Sequence, residues 1–586
     1  MRSLSLLPLL SLALGVAEAS QCKCSPSDPC WPSLSEWASL NETLSGRLIR
    51  SVPLASVCYP SEPSYNAQAC AKVRSNWTSS AFHSSDPSSI MSPNALGGGC
   101  SPIYANGTSV TGDAFARENG CTLGNISPYV VNATEARHVQ ETLEFARKKN
   151  LRLNIKNTGH NAVQSSAHGS LSIWTHNIKQ FEFHKSFRPQ SCPQNATHMA
   201  ATLGAGVQDG ELFKLMAQHN AIAVGGTNED VGVVGWATGG GHGLATGTYG
   251  MGADSIIEAV IVTTSGKVLT ANSCQNEDIF WAIRGGGGGT FGVILSVTVK
   301  AYPMPSTAVV DLDITARNGT SPQTFWLLIA ELHKELSRLQ DAGMNSYYTL
   351  SGPPLMFHDT MLLYNSNGTE SANNLLRPLE GFLERANNSI ESTISTSWVP
   401  AWYDLIKHMP VVEHVGTTRS ATTSRLLPQK AIEDTEAFAK VLETIGPKLT
   451  APKNGVSNPS ISGTMTGSKV PVDNALNPAW RDTVVHLISS QSWDDSLPQS
   501  IAHQTIADVT YIKGYALRQL APGTGAYFNE ANRYEPNWQW SFFGPNYPRL
   551  YAIKQKYDPD HLLWCHQCVG SEAWVEQTNG SLCRAF

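Results

Sequence analysis

Charge is scarce in this chain. Only 15% of its 586 residues are Asp, Glu, Lys or Arg, and the net charge of −6 contains no basic block. That scarcity argues against a polyanionic partner such as nucleic acid. Beyond the first twenty or so residues, no apolar run reaches the ~18 residues that a bilayer-crossing helix wants. No internal repeat stands out, and the Gly-x-Ser-x-Gly nucleophile pattern of hydrolases is missing. Solenoids, integral membrane proteins and that hydrolase class are therefore set aside. The length itself exceeds one ordinary core, so two or three domains are expected.

What is present begins with an export signal. Arg2 precedes an apolar run, Leu4 to Val16, and then the small-residue pattern Ala17-Glu18-Ala19. This predicts a secretory signal over 1–19 with cleavage after Ala19. Seven of the 12 cysteines lie between Cys22 and Cys121, which suits a disulfide-bonded segment in an oxidising compartment. Asn-x-Ser/Thr sequons start at Asn41, Asn76, Asn106, Asn125, Asn132, Asn195, Asn318, Asn367, Asn387 and Asn579. A secreted, extracellular glycoprotein with those loops at its surface is expected.

Residues 20–121 are rich in Ser, Pro and Cys with weak periodicity, and read as an irregular, disulfide-stapled extension whose pairing the spacing does not fix. Regular structure is expected from Thr134, a candidate cap for a helix in which Ala136, Val139, Leu143 and Ala146 share a face. Asn150 suits the left-handed residue that ends it. Leu151, Leu153 and Ile155 alternate with polar residues as in a strand, and the polar turn Asn157-Thr158-Gly159-His160-Asn161 follows.

A second dense stretch, Val224 to Gly252, carries Gly225-Gly226-Thr227, Gly232, Gly235 and Gly239-Gly240-Gly241-His242-Gly243. Such density is costly in chain entropy and is kept where a backbone must approach a ligand closely. Ile257–Thr264 and Val268–Thr270 about Ser265-Gly266 read as a hairpin. A third stretch contains a formal G-x-G-x-x-G at Gly287, Gly289 and Gly292. The Rossmann loop needs strand, glycines, helix in that order. Here the helix-like Asp278–Arg284 precedes the glycines and the β-branched Val293–Val299 follows, so the Rossmann reading fails on context. From about Pro303 glycine thins out and helical stretches such as Phe325–Leu339 mix with strands. In the tail, Cys565-x-x-Cys568 reads as a disulfide rather than a metal site, and no metal is expected.

As an ordered set, the strand ending in Asn157-Thr158-Gly159-His160-Asn161, the three glycine stretches, Tyr527-x-Asn529 and Phe543-Gly544-x-Asn546-Tyr547 resemble the flavoproteins of the vanillyl-alcohol oxidase and p-cresol methylhydroxylase (PCMH) fold. The tail resembles the berberine-bridge-enzyme-like branch, and the nearest relatives suggested are secreted fungal FAD-linked oxidoreductases of the isoamyl alcohol oxidase-like kind. The resemblance implies an α+β fold: a PCMH-type FAD-binding domain in two subdomains over 122–304, an α+β substrate domain over 305–516, and a berberine-bridge-like segment over 517–586 that rejoins the FAD domain.

It also implies the cofactor, FAD. His160 matches the histidine that bonds to the flavin 8α-methyl carbon, and a neutral imidazole is a competent nucleophile. Lys156, Asn157, Thr158, Gly159, Asn161, Ser165 and Ser166 would hold the pyrophosphate; Gly225, Gly226, Thr227, Gly232 and Gly235 would line flavin and pyrophosphate. Asp254 and Val262 fall near the adenosine end and Asn529 near the isoalloxazine ring. Many relatives carry a second link through cysteine, but Asn228 stands there, so attachment through His160 alone is expected. The loop after His160 also lacks the usual Gly-Arg. Tyr527 matches an active-site tyrosine and is the first candidate base, though a phenol of pKa ~10 needs help to ionise. Tyr347, Tyr348, His414 and Arg419 are further candidates, and His242 is expected to be structural.

The expected reaction is oxidation of an alcohol or similar small organic substrate, with O2 as acceptor and hydrogen peroxide as product. An FAD-linked dehydrogenase, an oxidative cyclase or desaturase of fungal secondary metabolism, and a non-catalytic ligand-binding glycoprotein are the alternatives. No nucleic-acid or membrane partner is expected.

Overall fold

The computed structural model describes residues 22–91, 99–161, 165–408, 415–452, 455–530 and 532–585. The expected signal over 1–19 and His414 lie outside the described residues. Three sheets organise the chain. Tyr129–Asn132, Ser170–Trp174 and Arg152–Lys156 pair in parallel, with Leu48–Arg50 antiparallel on one edge. An antiparallel five-stranded sheet runs Phe181–Phe187, His198–Gly204, Val293–Lys300, Ile256–Val262, Val268–Asn272. A seven-stranded antiparallel sheet takes all its strands from between Thr307 and Trp493.

The helix after Thr134 spans Ala136–Lys148 and buries Val139, Leu143 and Ala146. Its N-cap is Glu135 rather than Thr134; the Thr134 N–H and hydroxyl instead face His138 Nδ1, at 3.3 and 3.4 Å. Asn150 does take the left-handed conformation, φ 51°. In the next strand the alternation does not mark a wet face. Arg152, Asn154 and Lys156 are buried too, because Arg152 is paired with Glu576 and Asn154 bonds Ser127 and Ser172.

The helix Glu277–Ile283 precedes the third glycine stretch and the strand Val293–Lys300 follows it, as the exclusion of a Rossmann loop required. The hairpin turns at Gly266, φ 81°. Pro322–Asp341 is capped by the Ser321 hydroxyl, which accepts the Thr324 N–H, and starts on proline. Its apolar stripe, with that of Thr435–Ile445, covers one face of the seven-stranded sheet. Strand alternation puts Tyr348 on that face, where its hydroxyl lies 2.6 Å from His333 Nε2, and turns Tyr347 to the other.

The extension over 20–121 is more ordered than its composition predicts. It contains helices Leu34–Thr43, held by a Ser33/Glu36 capping box, and Ala67–Asn76, capped by Asn66. The twelve cysteines form six disulfides, and Cys22–Cys583 ties the two ends together. Cys565 pairs with Cys568. None of the ten sequon asparagines is buried. No helix among the described residues is long and apolar enough to cross a membrane.

The tail returns to the glycine-rich half of the chain. Phe542, Phe543 and Leu550 enter the core of the five-stranded sheet, and Leu562 and Leu563 that of the parallel strands. Lys554, fully buried, is the rivet: its Nζ donates to Asp558 at 2.6 Å and to the Thr290 and Leu563 carbonyls at 2.7 Å.

Candidate active site

These elements converge on a cavity of about 380 Å3, within the ~300–1,000 Å3 usual for small-molecule and cofactor sites. The loop after Arg152–Lys156 brings Asn157, Thr158, Gly159, His160, Asn161 and Ser165 to its wall. The second glycine stretch brings Gly226, Thr227, Gly232 and Gly235, and the tail brings Tyr527 and Asn529. Segments nearly 400 positions apart in sequence thus share one wall.

Five expected residues do not line it. Lys156 turns away, donating to the Asp86 carbonyl at 2.5 Å above the Trp174 ring, and burial draws its ammonium down to about 7 against the pull of Asp86. Ser166 donates to the Asn125 carbonyl. Gly225 packs against Phe213 and Asp209. Asp254 is held by a two-pronged Arg481 pair and the Asn474 amide, and Val262 pairs with Val268 and Val293 inside the sheet.

The glycines serve packing as much as ligand approach. A Cβ on Gly232 would stand 2.2 Å from Asn157 Nδ2, and one on Gly239 2.0 Å from Asn529 Oδ1. Glycine therefore lets the first loop and the tail press onto the central segment. At Gly235, by contrast, a Cβ would meet nothing within 4 Å. The open wall there, and the buried Asn157 Oδ1 without a hydrogen-bond partner among the described residues, fit a polar cofactor lying along this surface. Gly288 and Gly289, from the stretch rejected as a Rossmann loop, also line the cavity.

Burial draws the His160 imidazole down to about 4, so it is neutral near pH 7. Asn228 lines the cavity and its Oδ1 accepts the Asp230 N–H. With all twelve cysteines in disulfides, no thiol is left for a second bond to a cofactor.

At the other end, the Tyr527 hydroxyl accepts from Asn529 Nδ2 at 2.7 Å and from the Gly241 N–H at 3.2 Å. Burial, reinforced by the nearby Glu530 charge, nevertheless pushes its proton affinity far above the ordinary phenol range. Tyr527 is therefore protonated near neutral pH, and desolvation outweighs the two hydrogen bonds its oxygen accepts. Beside it lies a cluster that the motifs leave unassigned. His242 Nδ1 is 2.8 Å from the Tyr347 hydroxyl and its Nε2 is 2.9 Å from Glu530 Oε1. His486, fully buried on Thr483–Trp493, faces Glu530 Oε2 at 4.0 Å. Burial works to raise the Glu530 carboxyl, but His242 overcomes it and the net shift is downward. Glu530 follows directly on Tyr527-x-Asn529, a cue in the sequence; His486 is one histidine in an apolar strand and carries none. Tyr348 faces the helices, and Arg419 is paired with Asp495 away from this wall.

The sequence matches the family described as FAD binding domain over residues 127–272 and the one described as berberine and berberine like over 526–570. It is 33% identical to the VAO-type flavoprotein oxidase VAO615 of Thermothelomyces thermophilus, the alignment covering 99% of each chain. The crystal structure of the VAO-type flavoprotein MtVAO713 from Myceliophthora thermophila superposes with a TM-score of 0.88 at 30% identity, over 97% of this chain and 100% of that one. The glucooligosaccharide oxidase of Acremonium strictum, which carries a 6-S-cysteinyl, 8α-N1-histidyl FAD, shares the fold. It is 19% identical with a TM-score of 0.60, over 76% of this chain and 91% of that one.

Proposed function

The chain belongs to the FAD-linked oxidoreductases of the VAO fold, and on that premise we propose a secreted, glycosylated oxidase. It converts an alcohol or similar small organic substrate to the carbonyl, with O2 as terminal acceptor and hydrogen peroxide as the second product. The observation that carries this reading is one cavity lined by His160, the glycine wall and Tyr527 together.

When bound, FAD supplies the hydride acceptor. The protein's own groups would divide the remaining work. Asn157, Thr158, Ser165 and the backbone about Gly226 to Gly235 would hold the cofactor, and neutral His160 would bond it covalently, without a cysteine partner. Asn529 fixes the tail against Gly235 and Trp236, its Nδ2 lying 3.1 Å from the Trp236 carbonyl. Tyr527, protonated, would donate to the substrate oxygen and orient it. His242 and Glu530, which also line the cavity, would face the substrate hydroxyl.

Oxygen uptake and peroxide measured together over a panel of small primary alcohols test the oxidase reading, which expects them in equal amounts. Turnover sustained by a dye without peroxide would make the protein a dehydrogenase. A product with a new ring or double bond would make it an oxidative cyclase or desaturase.

A further inference from the structure

His242, His486 and Glu530 each offer one donor atom, and these atoms all lie within 4.8 Å of one another. They come from three separate elements: the second glycine stretch, the strand Thr483–Trp493, and the turn Phe528–Glu530. Trp480 and Tyr527 pack around the two imidazoles, with ring centroids 4.8 to 6.1 Å away. Bulk water is thereby kept from the inner side of the cluster, while His242 and Glu530 face the cavity.

The protein leaves this cluster half satisfied. His486 is 0% exposed, yet neither ring nitrogen meets a hydrogen-bond partner among the described residues, and buried Glu530 Oε2 has none either. An imidazole carries one donor and one acceptor, and leaving a buried polar group unmade costs about 1–3 kcal/mol. An apolar side chain would fill the position of His486 without that cost. His486 Nδ1 and Glu530 Oε2 face each other across 4.0 Å, so one small occupant would satisfy that pair.

We propose that His242, His486 and Glu530 bind a divalent transition-metal ion, zinc in the first instance, at the floor of the flavin cavity. Donor atoms of a tetrahedral zinc site stand roughly 3.4 Å apart, given bonds of about 2.0–2.2 Å. His242 Nε2 stands 2.9 Å from Glu530 Oε1 and His486 Nδ1 stands 4.0 Å from Glu530 Oε2, so the two imidazoles approach different oxygens of one carboxylate at distances either side of that spacing. The Tyr347 hydroxyl on His242 Nδ1 fixes the ring so that Nε2 points at the site, the usual orientation device for a ligating histidine. Two imidazoles and one carboxylate, with no thiolate, suit zinc, iron or manganese. Three protein ligands leave a coordination position open toward the cavity, and the group that fits it is an oxygen of the substrate. The site itself stands on this geometry alone; its role, binding and orienting a substrate oxygen, rests on the proposed oxidation.

The test is elemental analysis of the flavin-containing secreted protein, as purified and after incubation with ZnCl2 followed by desalting, alongside its visible spectrum. About one zinc per chain is expected. His486→Ala and the isosteric Glu530→Gln should each lose that metal while keeping the flavin absorbance that reports an intact fold. Substoichiometric metal in the loaded wild type would overturn the proposal and leave a bound water as the occupant. Undiminished metal in both variants would overturn it equally, by placing the ion elsewhere. Neither readout depends on turnover, so failure of the oxidase reading and failure of the metal site are told apart.

Discussion

Asp209 gives a prediction whose size follows from one side chain. It opens the helix Asp209–Ala217 and is 0% exposed. Its Oδ2 accepts the Gly226 N–H at 2.9 Å, while Oδ1 has no partner among the described residues. A helix start favours a carboxylate by about 0.3–1 kcal/mol. Burial opposes it far more strongly, and the carboxyl is raised to about 8 despite the Gly226 donor. An unfolded Asp titrates near ~4. Between those values the folded chain keeps a proton that the unfolded chain has lost, so stability falls as pH rises through the window and levels off above about 8. Four units at about 1.4 kcal/mol each set a ceiling on the order of 5 kcal/mol. Asp209→Asn keeps the shape and an acceptor for Gly226 but cannot ionise. Urea midpoints of both proteins from pH 4.5 to 9 check this. The variant should be close to wild type at the acid end and gain on it steadily, reaching a plateau above pH 8. Other titrating groups cancel in the comparison. A difference that stays flat across the range would refute the argument.

Two further outcomes test the packing that assembles the cavity. Lys554→Met leaves Asp558 buried and unpaired, so a loss of about 3–5 kcal/mol is expected in the same urea assay. Restoring neutrality with Lys554→Met and Asp558→Asn together should recover part of it. Gly243→Ala would put a Cβ 1.8 Å from the Gly225 carbonyl oxygen, a backbone atom with no room to yield. It should yield protein with weakened flavin retention by absorbance, whereas Gly381→Ala in the helix Glu370–Arg385, where a Cβ meets only the Arg385 side chain at 3.5 Å, should match wild type.

Much of the fold was legible because its elements carry local chemistry. The helix before the first loop, the left-handed Asn150 and the strand after Glu277–Ile283 follow from spacing and from which residues tolerate which backbone. In the extension over 20–121 the disulfides follow from the cysteine density, while serine and proline mask a Ser33/Glu36 capping box and the Asn66 cap. The burial of Arg152 is not legible locally, because it depends on Glu576, more than 400 residues away. In the site, His160 and the glycine wall follow from ordered motifs. Tyr527 follows from the same motifs, but its protonation does not, since that depends on desolvation by neighbours from other segments. His486 was invisible for the same reason: nothing local distinguishes a histidine that completes a three-element cluster.

A covalent flavin on His160 is tested most directly by the visible spectrum of the purified protein before and after acid precipitation. In the wild type, yellow colour should stay with the washed pellet. In His160→Ala the colour should pass to the supernatant or be lost. Colour released from the wild-type pellet, or retained in the pellet of His160→Ala, would contradict it.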